Sequence, residues 1–165
     1  MRRSGIDSTI VRCSWFALNF SEDYLVDPVR SGEVVIPAGD VPEPFVDVDD
    51  IADVAVAALT EDGHVGELYE LTGPRLLTCA DAVAEIGAAT GRTISFVSVP
   101  VGDYAATLTE YWVPADVISL LVYLFGTVLD GRNAHVSDGV HRALGREPRD
   151  FADFTKAAPT QGVWA

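Results

Sequence analysis

The chain has 165 residues and a mass of 17.7 kDa, enough for one ordinary domain with a hydrophobic core. Its hydrophobic fraction of 48% and its mean hydropathy of +0.21 argue against a disordered chain. The formal net charge of −14 argues against nucleic acid and anionic membrane surfaces as partners, because both attract Lys and Arg rather than carboxylates.

The two cysteines, Cys13 and Cys79, form no CxxC pair and have no histidine at ligand spacing. We therefore expect no metal site of the zinc type. Two distant cysteines suit a reducing compartment, and the stretch "MRRSGIDSTIVRC" lacks the apolar core of a signal peptide. The longest apolar run, residues 117–125, is too short for a bilayer span of about 20 residues. These features predict a soluble, cytoplasmic chain.

The first third of the chain predicts a strand, a helix and two extended segments. Residues 8–15 have the short, continuous apolar character of a buried strand. Residues 15–32 show helical spacing that ends at Gly32. Residues 33–48 predict two short extended segments joined by a Pro/Gly turn.

Residues 44–59, "PFVDVDDIADVAVAAL", combine four aspartates with an apolar stripe of helical spacing. The stripe predicts a helix that starts near Ile51, with Asp50 as its N-cap and Asp53 in its first turn. A helix end that follows Leu59 would place Gly63 at a left-handed cap.

The same aspartates are alternative candidates for a metal or acid/base site. Asp47 and Asp49 would share one face of the strand that precedes the helix. A metal needs three or more converging oxygen ligands, and helix capping explains two of the four aspartates without any ligand. We therefore favour a structural role for the stretch.

The remaining two thirds of the chain alternate strand and helix and then become helical. Residues 66–74 and 92–100 predict strands, and Thr78 with Asp81 predicts a capped helix that stops at Gly91. The expected late helices are one capped by Asp103, a long apolar one from Pro114 to about 129, one from Ser137 to Gly145, and a short one within 148–158. This order predicts an α/β to α+β fold in a single domain, residues 1–165, with a helix-rich subdomain from about 101 to 165.

Several motifs of cofactor and nucleophile sites are missing from the sequence. It contains no GxGxxG or GxxGxxG loop and no GxSxG elbow. Residues 126–132 have phosphate-loop glycine spacing but carry Arg132 where lysine is required. The only lysine, Lys156, has alanine four residues before it, which excludes a Tyr-x-x-x-Lys dyad. The three histidines, at positions 64, 135 and 141, are predicted to be exposed and structural.

Five stretches in order give the chain a family resemblance: "STIVRCSWFALNF", "PFVDVDDIADVAVAAL", "LYELTGPRLLT", "ISFVSVP" and "GRNAHVSDGVHRALGREPRDFADF". Together they resemble the C-terminal half of NmrA-like proteins, which are atypical extended short-chain dehydrogenases with a Rossmann-type NAD(P)-binding fold. The family includes quinone and azo-dye reductases and also redox sensors without catalysis. The resemblance implies a few strands followed by a helix-rich substrate subdomain.

The resemblance also implies that the glycine-rich βαβ unit lies upstream of the strand at Thr9–Arg12 and is not in this sequence. Met1 would then fall near the end of the helix that precedes this strand. Two residues depart from the family pattern. Cys13 replaces a usual proline, and Ser8 replaces a large residue that is often Trp.

The family's cofactor and substrate residues carry over to the segment after the first strand and to two tyrosines. The residues implied at the nicotinamide are Cys13, Ser14, Trp15 and Phe16. Those implied at the substrate are Asn19, Phe20, Tyr24 and Tyr111. For the aromatic residues, core packing between sheet and helical subdomain is the alternative to ring stacking. No catalytic side chain is implied, because in such enzymes the cofactor carries the chemistry.

The resemblance favours an NAD(P)H-dependent oxidoreductase of quinones, azo compounds or related small molecules. Without a glycine-rich turn, we expect this chain alone to bind NAD(P)H poorly or not at all and to be inactive by itself. The alternatives are a non-enzymatic ligand sensor or partner-binding protein, and a truncated gene product. A central strand without neighbours on one side further predicts self-association through its exposed edge.

Overall fold

Four short strands and seven α-helices occur in the part of the chain that the computed structural model describes, residues 5–158 and 162–164. Strands and helices alternate as far as β4, and the last four helices follow in succession. In chain order they are β1 (Ile10–Cys13), α1 (Val26–Ser31), β2 (Glu33–Ile36), α2 (Val48–Thr60), β3 (Leu68–Leu71), α3 (Cys79–Thr90), β4 (Ser95–Ser98), α4 (Val101–Glu110), α5 (Ala115–Tyr123), α6 (Gly139–Leu144) and α7 (Phe151–Ala157). Few strands with many helices confirm the predicted fold class. The expectation that Met1 falls near the end of a helix before β1 concerns a residue outside the described ranges.

The strands form two parallel pairs. β1 pairs with β3, with Ile10 opposite Leu68 and Cys13 opposite Leu71. β2 pairs with β4 in the same orientation. Parallel neighbours need a crossover connection, and helices supply it between both pairs.

Within the described residues, β1 has β3 as its single strand neighbour. The amides of Ile10 and Ser14 donate to carbonyls of the β3 side, at 2.9 and 3.0 Å. Because residues alternate along a parallel ladder, the amides of Val11 and Cys13 point to the opposite side, where β1 has no paired strand in the described residues. β1 is therefore an edge strand.

The core has two parts. The smaller part lies between the β1–β3 sheet and helices α2 and α6, and contains Val46, Val54, Tyr69, Leu71 and Val140. The larger part joins β2, α3, α5 and α7, and includes the buried rings of Phe20, Phe45 and Phe151. Gly139 lets α6 approach the sheet, because a Cβ there would lie 2.0 Å from the carbonyl oxygen of Glu70.

Several sequence-based boundaries are confirmed. Thr78 and Asp81 form a reciprocal capping box at the start of α3. Gly91 ends that helix in the left-handed conformation, and Gly32 does the same for α1. The strands predicted at both ends of α3 are β3 and β4.

The helix predicted over residues 15–32 is wrong in its first half. The chain instead makes two 3₁₀ turns, Ala17–Phe20 and Asp23–Leu25, before α1 begins. Asp23 takes the left-handed conformation, with φ of 57°. This reversal interrupts the helix, and aspartate is among the residues that tolerate it.

Three predicted features of the late helices are corrected. Pro100 rather than Asp103 precedes the first turn of α4. The apolar helix after Pro114 ends at Tyr123 and continues as a π-helical turn, Leu124–Val128. Ser137 does not cap α6, because its hydroxyl donates to the carbonyl of Glu70.

The start of α2 also differs from the prediction. The N-cap is Asp47, whose carboxylate accepts from the amide of Asp49 at 2.8 Å. The helix therefore begins three residues earlier than expected. Asp49 lies in its first turn rather than on a strand, and Asp50 lies in that turn rather than at the N-cap. It also ends at Thr60, so Gly63 lies beyond the cap, in a left-handed turn.

None of the helices in the described ranges is long and apolar enough to cross a bilayer.

Candidate functional site

A cavity of about 570 Å³ opens at the carboxyl ends of β1 and β3. Arg12, Cys13 and Ser14 line it from the end of β1, and Glu70 and Thr72 line it from β3 and the residues that follow. The carboxyl edge of parallel strands is where ligands bind in open α/β folds. This position and size suit a small organic molecule.

The segment after β1 is tied to a neighbouring loop. The hydroxyl of Ser14 donates to the carbonyl of Pro44 at 2.5 Å, and the amide of Ala17 donates to that of Val46 at 2.9 Å. Gly73 completes this contact, because a Cβ at that position would lie 2.2 Å from the carbonyl oxygen of Phe45. The backbone of the cavity wall is therefore held at several points before any ligand arrives.

One side of the cavity is apolar. It is formed by α5 and the π-helical turn, through Val117, Leu120, Leu121, Leu124 and Val128. The ring of Trp15 packs on Phe125 with centroids 5.5 Å apart. π-helical turns recur at functional sites, and here the turn supplies two wall residues.

The opposite side carries the polar groups. Arg12 and Glu70 are cross-strand neighbours, so their opposite charges lie side by side. The Nε2 atom of His135 lies 3.3 Å from a carboxylate oxygen of Glu70. Two further carboxylates line the cavity: that of Asp23 is exposed, and that of Glu43 is only 1% exposed.

Glu43 differs from every other buried carboxylate in the described residues, because neither of its oxygens has a hydrogen-bond partner there. Burial, together with the charge of Asp130, raises the pKa of Glu43 from 4.5 to about 7, while His135 acts in the opposite direction. Burial and the nearby charge of Glu43 in turn raise the pKa of the Cys79 thiol to about 12. Cys79 is a core residue that does not line the cavity, and its thiol stays protonated and unreactive.

The structure brings six of the eight predicted site residues to this one cavity. They are Cys13, Ser14, Trp15, Phe16, Asn19 and Tyr24. The hydroxyl of Tyr24 is buried without a hydrogen-bond partner among the described residues, and burial raises the pKa of this phenol.

The other two predicted residues lie elsewhere. Phe20 is 1% exposed and packs edge-on against Phe45 and Phe151 in the larger core. Tyr111 follows α4 and is 77% exposed. Neither side chain lines the cavity. In the sequence, an aromatic side chain alone does not indicate whether a residue lies in the core or lines the cavity.

The three histidines lie in different surroundings. The expectation that His64 is exposed is wrong, since it is 7% exposed and its ring nitrogen lies 2.8 Å from the hydroxyl of Tyr69. His135 lines the cavity, and His141 lies on the surface near Glu147. No spacing in the sequence joins His135 to Glu43, because the two are 92 positions apart and meet only in the fold.

The acidic stretch is a structural corner. Asp50 is fully buried and accepts from the Arg149 side chain at 2.5 Å and from the Arg149 amide at 2.7 Å. Arg146 reaches both Asp50 and Asp53, at 2.8 and 2.6 Å. The hydrogen bonds from the two arginines lower the pKa of Asp53. Across residues 5–158 and 162–164, no three His, Cys, Asp or Glu side chains converge as metal ligands.

Three helix starts, those of α2, α3 and α7, do not fit a dinucleotide pyrophosphate. Such a group needs free amides at a glycine-rich turn that follows a strand. The first turn of α2 is filled by Asp47, Asp49 and Asp50, and α3 and α7 are capped by Thr78 and Asp150. Carboxylates at these ends would repel a phosphate, so these helix starts are structural caps rather than pyrophosphate sites.

Comparison with curated proteins finds a dehydrogenase and an azoreductase among the relatives. The chain is 34% identical over 163 residues to agroclavine dehydrogenase of Claviceps fusiformis, covering 97% of this chain and 56% of that protein. It is 32% identical over 157 residues to an NAD(P)H azoreductase of Xenophilus azovorans, covering 95% of this chain and 54% of the relative. The chain thus spans about half the length of the curated relatives it matches. No family model matches it.

Solved structures agree on the fold. Triphenylmethane reductase of a Citrobacter species superposes with a TM-score of 0.81 at 21% identity, covering 96% of this chain and 55% of that one. The NADPH complex of the quinone oxidoreductase QOR2 from Escherichia coli gives a TM-score of 0.79 at 25% identity, covering 93% and 54%. NmrA, a negative transcriptional regulator solved with NAD, gives a TM-score of 0.64 at 18% identity, covering 97% and 55%.

The azoreductase relative is named for NAD(P)H, and the neighbouring structures of triphenylmethane reductase and QOR2 were solved with NADP(H) and NADPH. The expected resemblance and its cofactor type are therefore confirmed for the relatives. The chain is homologous to NAD(P)-dependent oxidoreductases of the NmrA-like, atypical short-chain dehydrogenase type, and it has the fold of their C-terminal part.

Proposed function

We propose that this chain is the substrate-binding part of an NAD(P)H-dependent reductase of small aromatic molecules such as quinones or azo compounds. The observation that carries the proposal is the cavity at the carboxyl ends of β1 and β3, with its apolar wall and few polar groups. The azoreductase and QOR2 relatives support the reaction class.

The chain's own residues supply binding and shielding in this proposal. The apolar residues of α5 and the π-helical turn exclude water, and Trp15 and Phe16 offer faces for a flat ring. The hydroxyl of Tyr24 and the side chain of Asn19 orient a polar substituent. A bound nicotinamide cofactor supplies the hydride in such reductases.

We further propose that the chain alone binds NAD(P)H weakly and does not turn over substrate. The support is that the starts of α2, α3 and α7 carry carboxylates, which do not suit a pyrophosphate. The segment Cys13–Phe16 would then meet only the nicotinamide end of the cofactor.

Calorimetric titration with 1,4-naphthoquinone, with NADPH, and with both together tests these points. We expect the quinone to bind, NADPH to bind no tighter than about millimolar, and no NADPH oxidation above background. Leu120→Trp, which fills the cavity, should abolish quinone binding. Val56→Trp is the matched control, since Val56 is 60% exposed on α2 and outside the cavity lining.

The outcomes separate the parts of the proposal. Absence of quinone binding, or equal effects of the two tryptophan variants, would contradict the cavity's role. Micromolar NADPH binding would contradict the statement about the cofactor. Quinone binding without turnover, even when a dinucleotide-binding half is supplied, would favour the alternative of a ligand sensor.

Self-association through the open edge of β1 is proposed as well, with a second copy of the chain as the partner. The support is the outward-facing amides of Val11 and Cys13. Val11→Pro should give a monomer in sedimentation velocity, because it removes one edge amide and keeps the ladder to β3. Val35→Pro, at the outer edge of β2, is the control and should still associate. A wild-type monomer at all concentrations would overturn this proposal.

A cytoplasmic location is also proposed. It is supported by the two cysteines, which are free in the fold, with Cys79 buried.

A further inference from the structure

The carboxylate of Glu43 is the least compensated group of the cavity. Its side chain is 1% exposed, lies on the cavity lining, and has no hydrogen-bond partner for either oxygen among the described residues. A buried polar group is normally paired, and leaving it unpaired costs free energy. An unpaired carboxylate that is held beside a cavity therefore points to a ligand that pairs with it.

The backbone of Glu43 is rigidly placed. Pro42 and Pro44 flank it, and a residue before proline favours an extended conformation. Glu43 also makes two backbone hydrogen bonds with Leu77, at 2.9 and 3.0 Å. The carboxylate cannot reach water by moving this segment without breaking both bonds, so its position is set in advance of binding.

The positive groups near the cavity have acidic neighbours other than Glu43. Arg12 lies beside Glu70 on the neighbouring strand, and His135 contacts the same glutamate. Asp130 is held by Arg132 at 2.5 Å. Within the described part of the chain, neither oxygen of Glu43 has a hydrogen-bond partner, and the nearby His135 only partly offsets the effect of burial on its pKa.

The rest of the cavity suits an apolar body. The wall from α5 is aliphatic, and the rings of Trp15, Phe16 and Tyr24 can contact a cation through their faces. The unpaired hydroxyl of Tyr24 provides a second acceptor for an N–H donor.

We propose that this cavity selects aromatic molecules that carry one protonated amine, with Glu43 as the counter-ion of that amine. The inference rests on the proposed function because it uses the same cavity, and it adds the charge class of the substrate. Neutral rings would bind through the apolar wall alone. An aromatic ammonium gains the charge-assisted hydrogen bond to Glu43 as well.

The test compares 1-naphthylmethylamine, protonated throughout the pH range used, with neutral 1-naphthalenemethanol by titration calorimetry. At about pH 8 we expect the wild type to prefer the amine by at least about tenfold. Glu43→Gln should reduce this preference to within about threefold. Asp23→Asn, which removes an exposed acid of the same cavity and keeps a residue that tolerates its left-handed backbone, should retain most of the preference.

The wild type alone provides a second measurement if Glu43→Gln does not fold. Because the pKa of Glu43 is raised to about 7, the carboxylate is largely neutral at about pH 5.5. The amine's preference over the alcohol should fall about tenfold between about pH 8 and about pH 5.5. His135, Glu70, Asp130, Tyr24 and Cys79 also face or neighbour this group. His135→Gln should leave the pH effect in place if Glu43 is its source.

Two failures are distinguishable. If the amine and the alcohol bind equally in the wild type at about pH 8, or if Glu43→Gln keeps the full preference, the inference about the amine is overturned while the cavity remains a ligand site. If neither molecule nor the quinone binds, the proposed function fails together with it.

Discussion

Two buried carboxylates, Asp50 and Glu43, lie a few residues apart in sequence and have opposite surroundings. Asp50 is fully buried, and its two oxygens accept hydrogen bonds from Arg146 and from the side chain and amide of Arg149. Glu43 is buried to the same degree and has no such partner in the described residues. Burial of an acid alone therefore does not identify a site.

The presence of partners decides what each acid does. At Asp50 the arginines fix the C-terminal segment before α7 onto the start of α2, so the acid stabilises a corner of the fold. At Glu43 the missing partner leaves hydrogen-bonding capacity directed at the cavity. A buried polar group whose hydrogen bonds are made within the fold has a structural role. A buried polar group without a hydrogen-bond partner is available to a ligand.

The largest effect should come from breaking the Asp50 cluster. Asp50→Ala leaves Arg146 and Arg149 without their shared buried acceptor, and we expect a loss of about 3–5 kcal/mol in unfolding free energy. Urea unfolding at neutral pH measures it. Asp49→Ala, at an exposed neighbouring position, is the control and should change stability by less than about 0.5 kcal/mol. A loss below about 1 kcal/mol for Asp50→Ala would show that the cluster does not hold the corner.

The next effect concerns Glu43 and depends on pH. Because the pKa of Glu43 is raised from 4.5 to about 7 by burial, the folded wild type loses stability as pH rises from about 4.5 to 7, by about 3 kcal/mol from this group. Glu43→Gln has no such loss. The free energy of unfolding of the variant relative to the wild type should therefore rise by about 3 kcal/mol across this range.

Urea unfolding of both proteins at about pH 4.5 and about pH 8 measures this difference. Comparing the two proteins removes the contributions of all other titrating groups. A difference that does not change with pH would mean that Glu43 is paired or solvated in solution, and would contradict its contrast with Asp50.

The smallest effect should come from Asp53, which contacts the same two arginines as Asp50 but whose side chain is 46% exposed. Asp53→Ala should cost only about 0.5–1 kcal/mol, because water solvates the freed groups and Asp50 keeps both arginines in place. Thermal or urea unfolding beside Asp50→Ala gives the comparison. Equal losses of unfolding free energy for Asp53→Ala and Asp50→Ala would show that side-chain exposure does not determine how much each aspartate stabilises the fold.

The sequence predicted much of the fold because local rules act on adjacent residues. The capping box of Thr78 and Asp81 and the left-handed Gly91 are such cases. The sequence predicted that α2 starts near Ile51 with Asp50 as its N-cap, because the apolar stripe begins at Ile51. Asp47 is the N-cap instead, since Arg146 and Arg149 pair with Asp50 from almost a hundred residues away and leave it inside the helix.

The cavity was predicted in part. The resemblance pointed to the segment after β1, and residues 13–16 all line the cavity. It carried no signal for Glu43, which stands between two prolines in what reads as an ordinary turn. The role of Glu43 depends on the absence of a hydrogen-bond partner among the described residues, and such an absence emerges only when the residues around the cavity are placed in space.

The most direct measurement of the central contrast is a carbon-13 NMR titration of the Glu43 carboxyl group, assigned with Glu43→Gln. The structure predicts a midpoint near pH 7 in the free protein, shifted to lower pH when 1-naphthylmethylamine is bound. A midpoint near the ordinary glutamate value, or one that the amine leaves unchanged, would contradict the account.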